Sequence, residues 1–150
     1  MSIRASKLCA LLFVTGVVAA TAVRAEERAR LVDYDGTFED ATFAVESALL
    51  DAGLVIDHVS HTGDMLARTR ADMGSDVVLF DGADVFLFCS AAISRQVMEA
   101  DPMNVVHCPY SIFVIDRGGV VQIGHPLYRA DSMDPVETLL SDLVDEAAAF

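Results

Sequence analysis

Residues 111–123 read SIFVIDRGGVVQI. Two β-rich runs, Ser111–Ile115 and Val120–Ile123, flank Asp116-Arg117-Gly118-Gly119. Paired glycines between such runs are a strong hairpin signal, because the tight turns that match strand twist need positive φ, which glycine adopts without a steric penalty. A second pair of runs, Val77–Phe80 and Val85–Cys89, is separated by Asp81-Gly82-Ala83-Asp84 and reads as another strand–turn–strand unit. Two hairpins without regular β-α-β alternation predict an α+β fold: a single domain built on a mainly antiparallel sheet, with helices packed on one face.

The flanking segments fill in that architecture. Leu31–Asp35 suits a short first strand, broken by Gly36. Thr37 can cap a helix, with Asp40 as the acid of a capping box. Phe38, Ala41, Val45, Leu49 and Ala52 follow at helical spacing, and Gly53 fits the helix stop. Leu54–Ser60 reads as a strand. Thr62 can cap a short helix through Met73, closed by Gly74. Ser90 can cap a helix to Ala100, which Pro102 ends because proline cannot continue the ladder. Pro109 opens an extended stretch. For the last helix the signals are Asp134 as cap, Pro135 in the first turn and Glu137 to complete the box. Val136, Leu139, Leu140, Leu143, Val144 and Ala147 form its inward stripe.

The N-terminus carries an address. Arg4 and Lys7 precede an uncharged apolar run, Leu8–Val23, and Val23-Arg24-Ala25 offers a small-residue cleavage site. This is the pattern of a secretory signal peptide, and the run is short for a membrane span. Residues 1–25 are therefore expected to be removed, leaving a periplasmic or secreted domain over residues 26–150, with no membrane span in the mature chain. Cys9 sits inside the leader run with a charge two positions before it, which does not fit a lipid-anchor cysteine, so it is expected to leave with the leader.

Three of the 10 basic residues and none of the 23 acidic ones lie in that leader, so the remainder has seven arginines against 23 carboxylates, a net charge of −16. Phosphate backbones are held by clustered Lys and Arg, so nucleic acid is excluded as a partner class. An anionic membrane surface is excluded on the same ground. The balance fits an acidic protein kept apart from its neighbours by charge, or an acidic face for a cationic partner.

Export makes the two remaining cysteines candidates for a disulfide. Cys89 ends an expected strand, Ser90 starts a helix, and Cys108 starts the next strand. A Cys89–Cys108 bridge would close a loop of about 20 residues, worth about 3 kcal/mol in the chain-entropy model. Two sharper readings compete. Cys89 stands before a helix N-terminus, where amides and dipole favour a thiolate, so the pair could be redox-active, although Cys-x-x-Cys is absent. Cys89, His107 and Cys108, with Met98 or Met103 nearby, could supply soft ligands for copper(I) or zinc. Against that, the spacing matches no strong zinc signature, and neighbouring residues of a strand point to opposite faces.

Phe88-Cys89-Ser90-Ala91, Ile93-Ser94-Arg95, Ala100-Asp101-Pro102, Asn104 and Cys108-Pro109-Tyr110 together resemble the family called domain of unknown function 302. Val121-Gln122-Ile123-Gly124 resembles the strand that follows in exported bacterial members. The resemblance spans about Leu31 to Tyr128. It implies a small α+β domain, often exported and sometimes a homodimer, and carries no catalytic residue or cofactor with it. One departure is His125-Pro126, where related chains continue with aromatic or basic residues.

Other constellations are weaker. His58 and His61, flanked by Asp57 and Asp64, read as exposed polar residues near a strand end. No Gly-x-Ser-x-Gly elbow or phosphate loop is present in the sequence, and Gly118-Gly119 is a turn with no helix after it. Tyr110 reads as a packed aromatic. The expectation is thus a binding module for a protein or small-molecule ligand, with a structural disulfide, no cofactor and no chemistry of its own. Its rival is a thiol-redox or soft-metal handling protein using Cys89, His107 and Cys108.

Overall fold

A computed structural model describes residues 28–150. The expected leader and Cys9 lie outside the described residues. The order is β1 (Ala29–Asp33), α1 (Phe38–Asp51), β2 (Val55–Ser60), α2 (Thr62–Thr69), β3 (Gly82–Cys89), α3 (Ala91–Ala100), a 3-10 turn (Pro102–His107), β4 (Tyr110–Arg117), β5 (Val120–Pro126), a second 3-10 turn (Asp131–Met133) and α4 (Asp134–Ala148). The five strands form one sheet in the order β1-β5-β4-β3-β2, and every neighbouring pair is antiparallel. This is the α+β architecture expected from the sequence.

The sheet is organised around the hairpin of residues 111–123. Gly118 and Gly119 adopt φ of 65° and 82°, so the turn takes the conformation that two glycines permit. Asp81 and Asp116 fasten it through side-chain oxygens that accept from the Gly118 and Gly119 amides at 2.6 and 2.9 Å. Strand alternation then sorts residues by face. Phe86, Phe88, Tyr110, Ile112, Val114, Val121, Ile123 and His125 are buried on one face. α1 adds Ala41, Ala44, Val45, Ala48 and Leu49, and α4 adds Val136, Leu140, Leu143, Val144 and Ala147. Together these make the core, with α1 and α4 packed on each other above the sheet.

Helix starts follow the sequence in two cases. Thr37 and Asp40 form the full capping box, and the Ser90 hydroxyl accepts from the Ile93 amide. The start of α4 differs. Asp134 lies inside the helix, and Met133 occupies the cap position with no side-chain bond. The preceding 3-10 turn feeds straight into the helix, and Glu137 is drawn away to accept from the Tyr128 amide. α2 is also shorter than expected: it ends at Thr69, and the chain passes through a turn to Gly74.

The second expected hairpin does not form. Val77–Phe80 pairs with nothing in the sheet, and the expected turn Asp81–Asp84 is instead the lead into β3, with Gly82, Ala83 and Asp84 opposite Asp116, Ile115 and Val114. The pairing partner explains the override. β4 is eight residues long, and satisfying its edge requires β3 to begin at Gly82. Both sides of β3 are then occupied by β2 and β4, which leaves no edge beside it for residues 77–80.

Candidate functional site

Two places are built with more care than packing alone requires: the disulfide corner and the face of the sheet opposite the core.

At the corner, Cys89 and Cys108 are joined as a disulfide, with Cα atoms 6.6 Å apart, inside the range that a bridge spans. β3 delivers Cys89 to the end of the sheet, and α3 with the 3-10 turn returns the chain 19 residues later. The return is pinned by Asn104, a buried polar residue whose Nδ2 donates to the Val97 carbonyl at 2.9 Å and to Ser132 Oγ at 3.1 Å. Tyr110 is fully buried just beyond the bridge, and its hydroxyl accepts from Ser94 at 3.2 Å. The ring of His107 stands edge-on to Tyr128, centroids 4.9 Å apart. Tyr128 meets Tyr110 at 6.4 Å. Burial pushes the Tyr128 hydroxyl above the usual tyrosine range, with the Tyr110 ring hydroxyl and the Glu137 carboxylate adding to the effect.

The structure thus brings Cys89 and Cys108 together and places His107 against an aromatic ring. Among the described residues no group of three or more His, Cys, Asp and Glu is arranged to hold a metal ion. Met98 packs against the core, whereas Met103 is 65% exposed rather than packed. His58 is exposed on β2 opposite Leu87, just after an irregularity in the ladder, and His61 Nδ1 pairs with Asp84 Oδ1 at 2.9 Å. These two histidines do not converge on a common ligand position.

The second place is one that sequence reasoning missed. On the sheet face away from α1 and α4 the ladder sets Leu31, Phe113 and Val85 in one row, with Gly124 between the first two. Gly124 is buried, and a methyl group there would collide with the Arg30 carbonyl, with Leu31 Cδ2 and with Phe113 Cζ, so the two side chains close over a bare backbone. Ile115 and Ala83 continue the apolar surface, and α2 meets its β3 end, where Gly63 lies against the Ala83 amide. The result is a recess of about 350 Å³, walled by Leu31, Phe80, Ala83, Val85, Phe113 and Ile115, with Asp84 and Arg117 as its charged members. Leu31 remains 44% exposed, in contrast to the full burial of Ile112 and Val114 on the other face of the sheet. The signal was present in the sequence as Phe113 and Ile115 alternating with Ile112 and Val114. A strand apolar on both faces with only one face covered leaves an apolar surface.

An antiparallel α+β domain with one face covered by α1 and α4, the other only partly covered and a disulfide at its corner is the class of protein these features define. The chain belongs to the family described as domain of unknown function DUF302, whose model matches residues 30–149. Among solved structures it is similar to an uncharacterized conserved DUF302 protein from Bacillus stearothermophilus, with a TM-score of 0.55 and 17% identity over 81% of this chain and 88% of that one. No curated protein matches. At that identity the likeness carries the fold alone.

Proposed function

We propose that the chain is an exported binding module that works through the bare sheet face, with the disulfide as a structural staple. The observation that carries the reading is the recess itself: an apolar depression of about 350 Å³ on rigid strands, of the size that takes a small ligand or a partner's side chains. Export is supported by the leader pattern of residues 1–25 and by the disulfide, which persists in oxidising compartments. No helix among the described residues is long and apolar enough to cross a membrane.

The test uses a neutral apolar dye such as Nile red on the protein as its cell processes it. The wild type binds it with a bright, saturable response. Val85→Glu with Ile115→Glu removes the response while circular dichroism and cooperative melting persist. A dye response indifferent to these changes sinks the binding-face reading. Mass analysis of the same sample is expected to begin near Glu26 and to show two fewer hydrogens than the dithiol form.

The thiol reading rests on the position of Cys89 before α3, and the soft-metal reading on Cys89, His107 and Cys108 as ligands. Changing both Cys89 and Cys108 to serine separates them from the staple. The staple reading expects a stability loss of about 3 kcal/mol with dye binding recovered at low temperature. A variant that stays fully stable while losing a biological activity favours the thiol reading instead.

A further inference from the structure

The recess has a polarity, and it lies in its two charged members. Asp84 is already committed, because its Oδ1 is held by His61 at 2.9 Å. Arg117 has no ion pair or side-chain hydrogen bond among the described residues, and it is the one basic side chain lining the recess. It stands at the end of β4, next to the Gly118-Gly119 turn, while Phe113 and Ile115 run away from it along the apolar floor. In a domain with seven arginines against 23 carboxylates, a guanidinium left free at the mouth of an apolar trough is a specific arrangement of charge and grease.

Resting on the binding-face reading above, we infer that the recess takes an amphipathic monoanion: an unbranched apolar chain laid over Leu31, Phe113, Ile115 and Val85, its carboxylate or similar head group paired with Arg117. The charge complementarity is local. Arg117 is the one basic side chain lining the recess, so an anion seated there finds its compensation at this guanidinium. An apolar chain alone would gain the floor contacts and leave Arg117 unused.

The experiment titrates dodecanoate and the uncharged dodecanol, both below their aggregation limits, into the processed protein. Calorimetry gives the affinities, and methyl NMR gives the site. Saturable binding of dodecanoate that perturbs the Leu31, Val85 and Ile115 methyls is expected. Arg117→Gln should weaken dodecanoate by about fivefold, the size of one solvent-exposed ion pair, and leave dodecanol unchanged. Arg117→Lys should restore part of the loss. Equal effects of Arg117→Gln on acid and alcohol, or none on either, overturn the inference, as does binding that perturbs methyls elsewhere. Preferential occupation of the same face by a cationic amphipathic peptide also overturns it. If the neutral dye binds at this face and dodecanoate does not, the ligand class falls and the binding-face reading stands; if neither binds, both fall.

Discussion

At the scale of single residues, the structure leans on three that composition does not advertise. Gly124 is one. An alanine there would push into the Arg30 carbonyl and the Leu31 and Phe113 side chains, so Gly124→Ala should cost about 1–3 kcal/mol, read as a lowered urea midpoint at unchanged m-value. His125 is the second: it is fully buried, its Nδ1–H donates to the Pro126 carbonyl, and its Nε2 accepts from the Ser141 hydroxyl, which ties β5 to α4. The departure at His125-Pro126 is therefore absorbed by extending the strand to Pro126. Tyr128 is the third. Its hydroxyl is held protonated above the ordinary value, so the folded state keeps a proton that the unfolded chain releases near pH 10. Its contribution is complete below that pH and is lost as the pH climbs through the raised value. Tyr128→Phe should therefore flatten the alkaline fall in stability and remove a phenolate absorbance step that lies above the ordinary tyrosine range. None of the three was legible as a site, since each depends on what crosses it from a distant strand or helix.

At the scale of elements, local chemistry was readable where it stayed local. The capping box at Thr37 and Asp40 and the cap at Ser90 form as their residue types dictate. Thr37→Ala should cost about 1 kcal/mol by thermal melting, because the Asp40 amide loses its acceptor and the Asp40 carboxylate loses the Thr37 hydroxyl that holds it. Reading failed where a tertiary partner outbid the local signal, as Tyr128 does for Glu137 and β4 does for Asp81–Asp84. Val77–Phe80 shows the cost of that second override. Val77, Val78 and Leu79 are 62%, 59% and 55% exposed, a strand-forming run without a strand to join, guarded by Asp76 and Asp81. Asp76→Asn should speed thioflavin-positive aggregation, and Val78→Lys should slow it without moving the melting temperature.

At the scale of the whole molecule, the glycine hairpin and the inward stripes of α1 and α4 were enough to reach the antiparallel sheet and its covered face. The disulfide was reachable because the strand–helix–strand spacing returns the chain to a neighbouring strand end. The bare face was not, because an apolar strand residue looks the same in sequence whether a helix covers it or water does. Only the ladder register, which aligns Leu31, Gly124, Phe113 and Val85, gathers them into one surface.

The bridge between Cys89 and Cys108 also decides how this molecule comes apart. It encloses α3 and the 3-10 turn as a closed ring of backbone. A protease that nicks the polypeptide anywhere between Ser90 and His107 therefore severs the chain without releasing a fragment. Such a clipped form should migrate as one band on a non-reducing gel and as two once a reductant is added.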